Sequence, residues 1–215
     1  MWNNQNLHMQ RGKFIVFEGI DGSGKTTLSK MLAQELAQNG PRVHWTCEPT
    51  HNVIGKMIRS VLTHQLEMNE QSIAALYLAD RMDHIQHPDY GMLHQLNAGD
   101  HVISDRYYLS SYAYHVPHVS LDWVVDANSI AANVLRPDVI FFIDIDVQTS
   151  MDRIARFRTG VDLFENEERI TLVHANYQRA IEKIRHEENI VVIDGRKALD
   201  EVYAEVKRVA DGVFK

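Results

Sequence analysis

Residues 17–27, FEGIDGSGKTT, restrict the possible folds more than any other part of the chain. Gly19, Gly22, Gly24, Lys25 and Thr26 complete the phosphate-loop pattern G-x-x-x-x-G-K-[ST]. The pattern follows the apolar run Phe14, Ile15, Val16, Phe17 and precedes the helical spacing of Leu28, Met31, Leu32 and Leu36. A strand that turns through glycines into a helix aims several backbone N–H groups and the positive end of the helix at one point, which suits a polyphosphate. Lys25 adds a mobile cation for the β- and γ-phosphates, and Thr26 offers a hydroxyl to a magnesium ion. The loop as a whole, with Asp21, Ser23 and Thr27 beside these residues, is the candidate donor site.

A chain of 215 residues with 45% apolar content is long enough for one substantial core, and it shows no linker, repeat or low-complexity tract. One domain over residues 13–215, preceded by a loose tail at 1–12, is the expected organisation. The single cysteine, Cys47, excludes an internal disulfide and suits a reducing compartment. No apolar run approaches the roughly 20 residues that span a bilayer, and the polar start does not read as a signal peptide. A cytoplasmic protein without membrane contact is therefore expected. A net charge of −7 argues against a broad nucleic-acid-binding face.

Short apolar runs alternate with longer helical patterns, the pattern of a parallel sheet wrapped by helices. The expected strands are 13–18, 42–46, 101–104, 139–145 and 190–193. The expected helices are 26–38, 53–64, 70–97, 122–134, 148–156, 167–186 and 199–213. Ligands of such sheets gather beyond the carboxyl ends of the strands. The second strand is followed by Cys47-Glu48-Pro49-Thr50 and the third by Asp105-Arg106-Tyr107. An apolar strand ending in Asp105 presents a carboxylate to the magnesium shell, and Arg106 can grip a phosphate through two parallel hydrogen bonds. Tyr77 and Arg81, four apart on one helical face, can hold a base by stacking and by an edge hydrogen bond, although taken alone such a pair is more often ordinary helix packing. Ser110, Ser111, Tyr112 and Tyr114 bring hydroxyls within reach of a sugar or base if the segment enters a helix; capping and interface packing would explain them equally. Arg153, Arg156 and Arg158, running into a glycine-containing loop and the acidic stretch 162–168, read as a flap that closes over a charged ligand. Cations at a helix C-terminus are also favourable without any catalysis.

From about residue 11 to the C-terminus the chain resembles the thymidylate kinase family. The resemblance is carried by FEGIDGSGKTT at 17–27, Glu48-Pro49, YLADR at 77–81, DRYYLSSYAY at 105–114, Arg136-Pro137-Asp138 before a strand, and the arginine-bearing segment through DLFE at 162–165. It implies a nucleoside monophosphate kinase-like fold with a phosphate loop, a five-stranded parallel sheet flanked by helices, and a short arginine-bearing lid around 153–166. It implies transfer of the ATP γ-phosphate to dTMP with magnesium, as a homodimer in dTTP biosynthesis.

Carried over residue by residue, the resemblance implies that Lys25 and the loop amides hold the donor phosphates and that Thr26 ligates magnesium. Asp21 stands near the acceptor sugar, Arg106 grips the acceptor phosphate, and Asp105 supports the metal and orients that arginine. Glu48, Pro49 and Arg59 fall on the acceptor side. Tyr77 stands where phenylalanine usually stacks on thymine, Arg81 reaches the base oxygen, and Ser111 and Tyr114 face the base and deoxyribose. Arg153 belongs over the ATP side, with Arg156 and Arg158 as candidates for the transition-state charge. The chain departs from the family pattern at Thr50-His51-Asn52, where a glycine pair is usual, and at His115-Val116-Pro117-His118, where glycines are frequent. The His115/His118 spacing suits a metal, but no further cysteines or histidines accompany it, so both are expected to be structural.

Two rival readings remain open at this level. A deoxynucleoside kinase would need a base for a sugar hydroxyl, and Glu48 could serve. A phosphate-loop switch or motor would need no second substrate, and it would bring a guanine-specifying motif or a subunit-facing arginine finger, neither of which the sequence contains.

Overall fold

In the computed structural model, residues 11–38, 40–116, 118–157 and 167–214 are described. Five parallel strands, β1 (Phe14–Glu18), β2 (Val43–Cys47), β3 (His101–Asp105), β4 (Val139–Asp144) and β5 (Ile190–Asp194), lie in the order β2-β3-β1-β4-β5. The helices α1 (Lys25–Gln38), α2 (Val53–Leu62), α3 (Glu70–Gln86), α4 (Met92–Asn97), α5 (Tyr108–Tyr114), α6 (Leu121–Val134), α7 (Val147–Phe157), α8 (Glu167–Ile184) and α9 (Leu199–Val213) connect and cover them. The expected five-stranded parallel sheet flanked by helices is the observed one.

Strand β1 is buried along its whole length, as a central parallel strand covered on both faces must be. Alternate side chains serve two cores. Phe14 and Val16 pack among residues of α3, α5, α6 and α8, whereas Ile15 and Phe17 pack with Leu28 and Leu32 of α1 and with Val202 and Val206 of α9. The 3.6-residue period of α9 places Val202, Val206 and Ala210 on its buried stripe. At the start of β1 the Phe14 N–H donates to Asp138 Oδ2 at 2.8 Å, and the Asp138 N–H returns to the Phe14 carbonyl at 2.7 Å. The Arg136-Pro137-Asp138 segment thus pins β4 against β1.

Two expectations are corrected. The long helix 70–97 is broken between α3 and α4 by His87-Pro88-Asp89-Tyr90-Gly91. Pro88 disfavours helical geometry in the residue before it. A Cβ on Gly91 would fall 2.5 Å from the His87 carbonyl oxygen, so only glycine fits the turn. Helix α5, which had not been delimited, forms at Tyr108–Tyr114 with all seven of its residues buried. Of the expected tail, residues 1–10 lie outside the described residues, whereas Gly12 is buried and its N–H donates to the Leu96 carbonyl at 2.9 Å.

The strand register sets the site. Phe17 of β1 and Cys47 of β2 both pair with Asp105 of β3, so three carboxyl ends finish side by side. Backbone bonds continue past the strands, from the Arg106 N–H to the Phe17 carbonyl at 2.9 Å and from the Glu48 N–H to the Asp105 carbonyl at 3.0 Å. Phe141 of β4, fully buried, packs its ring 5.1 Å from that of Phe17 directly below this junction. Phe141→Ala should destabilise the protein by about 3–5 kcal/mol, read as a lowered denaturation midpoint at unchanged denaturant slope.

Candidate active site

The glycines of the phosphate loop occupy backbone conformations that side chains disfavour, with φ of 148° at Gly19, 75° at Gly22 and 94° at Gly24. A Cβ at Gly22 would also stand 2.8 Å from the Ser150 carbonyl oxygen of α7, which fixes how closely that helix approaches the loop. Lys25 is buried; its Nζ donates to the Ile20 carbonyl at 3.2 Å and lies 3.5 Å from Asp21 Oδ1. Burial lowers the Lys25 pKa from the ordinary lysine value, the Arg106 charge lowers it further, and Asp21, Asp105 and Glu18 oppose both.

Asp105, at the end of β3, accepts the Thr26 hydroxyl on Oδ2, and its Oδ1 is buried without a hydrogen-bond partner among the described residues. Arg106 adopts a φ of 75°, a region that non-glycine residues rarely enter and that concentrates at functional sites. Its guanidinium donates to Asp21 Oδ1 at 2.5 Å, to the Tyr114 hydroxyl at 3.1 Å and to Ser110 Oγ at 3.0 Å. It also lies 4.8 Å from the Tyr114 ring centre. The Tyr114 hydroxyl donates to Asp21 Oδ2 at 2.9 Å, so the phosphate loop, β3 and α5 share one knot of charge.

A second knot lies deeper. Both Arg81 Nε and Nη2 donate to Glu48 Oε2, at 2.9 and 2.7 Å, while Nη1 donates to Ser111 Oγ at 3.0 Å and to Asn128 Oδ1. His84 Nδ1 stands 3.1 Å from Glu48 Oε1. Burial pushes the Glu48 carboxyl up, yet Arg81 and His84 outweigh it and the net pKa lies below the ordinary carboxylate value.

These groups surround two cavities. The first, about 210 Å³, is walled by Asp21, Glu48, Pro49, Arg59, Tyr77, Asp105, Arg106, Ser110, Ser111, Tyr114 and His115, together with Lys25 and Thr26. The second, about 410 Å³, lies across the loop against Gly22, Ser23, Gly24, Thr27, Arg153, Gly195 and Lys197, and it too is floored by Lys25 and Thr26. Arg153 spans its mouth, with Nη2 donating to the Gly195 carbonyl at 2.9 Å and Nη1 within 3.4 Å of the Gly22 and Ser23 carbonyls.

The expected site residues are thus brought together with few exceptions. Gly19 shapes the turn without lining either cavity, Arg81 stands behind the cavity wall, and Arg156 is exposed on the last turn of α7. Arg158 and the rest of the expected lid at 158–166 lie outside the described residues. Several organising residues had not been singled out. Glu18 is fully buried and accepts the Tyr107 N–H at 2.8 Å, the Ser110 N–H at 3.1 Å, Ser110 Oγ at 2.6 Å and the Tyr177 hydroxyl at 3.0 Å. A charged residue immediately before the loop glycine is its only sequence signal. Tyr177, 159 positions away on α8, has none.

The sequence model of the thymidylate kinase family matches residues 17–206. The chain belongs to the thymidylate kinase family. It is 36% identical over 195 residues to a probable thymidylate kinase of Methanocaldococcus jannaschii, covering 90% of this chain and 93% of that one. It is 34% identical over 202 residues to a thymidylate kinase of Thermosipho africanus, covering 92% of this chain and 97% of the relative.

Removing the Glu48 charge would leave Arg81 buried and unpaired. Glu48→Gln should therefore lower stability at pH 7 by about 3–5 kcal/mol. Because the folded pKa of Glu48 is depressed, its contribution is present above the ordinary carboxylate range and is lost as pH falls through the folded value. The melting temperature of the wild type should drop on acidification below about pH 4.5, and the gap to Glu48→Gln should narrow over the same range.

Proposed function

We propose that the protein transfers the γ-phosphate of ATP to dTMP, forming dTDP and ADP, and so acts in dTTP synthesis. The observation that carries this reading is the pair of cavities meeting at Lys25 and Thr26. A switch or motor needs one nucleotide site, whereas two sites sharing one lysine suit a donor and an acceptor held end to end. Donor phosphates would lie on the loop amides of residues 19–27, with the nucleoside in the cavity under Arg153. The acceptor would lie between Arg106 at its phosphate and Tyr77, Ser111 and Tyr114 at its base and sugar, with Asp21 near the sugar and Pro49 and Arg59 lining the same side; Arg81, expected at the base, is bonded to Glu48 behind the wall and would act through its hydrogen bond to Ser111.

The oxygen donors of Thr26 and Asp105 suit magnesium. Asp105 Oδ1 is buried and unpartnered, and among the described residues no group of three or more His, Cys, Asp or Glu forms a closed metal cage. Magnesium is usually bound by one or two carboxylates plus substrate phosphates, and it would neutralise charge between the β- and γ-phosphates. The acceptor phosphate oxygen is nucleophilic at neutral pH, so the protein's work is positioning and electrostatic stabilisation. Lys25 and Arg106, which line one cavity and share Asp21 Oδ1, would supply positive charge to the transferring group. Arg153, Arg156 and Arg158 belong to a lid around 153–166, within one domain spanning 13–215, whose closure would exclude water.

The nucleoside-kinase alternative is disfavoured by Glu48, whose carboxylate is committed to Arg81 and His84 and has a depressed pKa, which makes it a weak base. ADP release with ATP and magnesium should depend on dTMP. Release with thymidine alone, or without acceptor, would overturn the assignment. Lys25→Ala and Arg106→Ala should each lower turnover by about 10²–10³ or more at unchanged fold. Near-native turnover in either would rule out the mechanism.

We also propose a cytoplasmic homodimer. No helix among the described residues is long and apolar enough to cross a membrane. Trp123, Ile130 and Val134 are exposed along one face of α6, and Val53 and Met57 are exposed along one face of α2, with α3 packed between these helices. Sedimentation should give twice the chain mass, and Ile130→Asp should shift the protein toward monomer.

A further inference from the structure

Thr50 opens the segment in which a glycine pair is usual, and the fold gives its side chain a task that glycine cannot perform. Its N–H donates to Asp80 Oδ2 at 2.7 Å, and its hydroxyl donates to Asp80 Oδ1 at 2.6 Å. The same hydroxyl oxygen accepts the N–H of Asn52, the N-cap of α2, at 3.2 Å. Thr50 and Asp80 are both buried, and Asp80 forms no ion pair among the described residues, so the two Thr50 donors offset the cost of enclosing its carboxylate. Burial pushes the Asp80 carboxyl above its ordinary value, and the Thr50 hydroxyl and N–H oppose that shift. A Cβ on Gly55 of α2 would stand 2.0 Å from the Thr50 carbonyl oxygen, so α2 also closes directly on the Thr50 backbone.

Consecutive residues of α3 thus grip alternate residues of the loop after β2: Arg81 takes Glu48, and Asp80 takes Thr50. Pro49 is held between them, and its carbonyl accepts Arg59 Nη2, which also lies 3.7 Å from Cys47 Sγ. Glu48, Pro49, Arg59 and Tyr77 all line the acceptor cavity, so this wall is assembled from a loop and two helices that the Thr50 hydroxyl joins. The charge on Arg59 differs from those of its neighbours. Lys25 and Arg106 share Asp21, whereas no carboxylate among the described residues forms an ion pair with Arg59. The guanidinium is therefore kept in position by a neutral carbonyl, and the place of that carbonyl is set by the residues on either side of it. We propose that Thr50 and Asp80 are positioning residues for the acceptor: they fix the Pro49 carbonyl, and through it they hold the uncompensated Arg59 charge where a phosphorylated acceptor can use it. This inference rests on the dTMP kinase reading and deepens it. A glycine at position 50 would keep the N–H bond and lose the hydroxyl, so the side chain replaces loop freedom with a fixed wall.

The test measures steady-state kinetics for dTMP and for ATP in wild type, Thr50→Val, Thr50→Ser, Arg59→Met and the double variant Thr50→Val/Arg59→Met. Valine keeps the branched shape and deletes the hydroxyl, whereas serine keeps the hydroxyl. Thr50→Val should raise KM for dTMP about tenfold, with kcat and KM for ATP each within about twofold, and Thr50→Ser should stay within about twofold of wild type. Arg59→Met should raise KM for dTMP by at least as much, and adding Thr50→Val to it should change KM by less than about twofold, because residues that act through one contact are not additive. An unchanged KM for dTMP in Thr50→Val or in Arg59→Met, an equal rise for both substrates, a loss in Thr50→Ser like that of valine, or a full further loss in the double variant would overturn the proposal. Should Thr50→Val fail to fold, Thr50→Gly decides: it also lacks the hydroxyl, and a wild-type KM for dTMP would refute positioning by the side chain. Absence of dTMP-dependent turnover in the wild type would instead remove the underlying kinase reading.

Discussion

A carboxylate without access to solvent, Glu18 at the carboxyl end of β1, is the constraint on which the rest of the site depends. Burial raises its pKa above the ordinary carboxylate value, and hydrogen bonds from Tyr107 and Ser110 together with the Arg106 charge offset that only in part, while Tyr177 adds a further donor. Those donors come from the segment after β3 and from α8. One buried carboxyl group therefore fixes the entry into α5, the orientation of Ser110 beside Arg106, and the seat of α8. The phosphate loop begins at the next residue, so its frame is set by the same atom pair.

On this frame the charges are arranged in opposed layers. Lys25 and Arg106 both meet Asp21 at Oδ1, and Glu48 neutralises Arg81 one layer deeper. A guanidinium that is almost fully buried is tolerated only because Nε, Nη1 and Nη2 each find an acceptor. That network includes Asn128 of α6, so the helix bearing the exposed apolar face also helps hold the acceptor wall.

Local signals were legible because they are local. The phosphate loop is written in one stretch of the chain, and β1, β4 and α9 carry periods that betray burial on two faces or on one stripe. Helix α5 carried no such period: a helix buried all round shows no polar face, so its aromatic run looked like capping or interface packing. The break at Pro88 and Gly91 was present in composition but hidden inside a long, weakly amphipathic segment. Glu18, Tyr177 and Asn128 act through partners brought close only by the folded sheet, and the ring contact between Tyr77 and His115 has no trace in spacing at all.

Asp21 binds the two cations that the proposed mechanism assigns to phosphate, and this has a consequence for discrimination. An anion arriving at Arg106 must compete with a carboxylate already in place at 2.5 Å. A sulfate, which has no O–H to donate, offers nothing to the displaced carboxylate and gains little from the exchange. A nucleotide brings a sugar hydroxyl that can donate a hydrogen bond to the carboxylate in return, so the exchange of partners itself screens incoming anions by what else they carry.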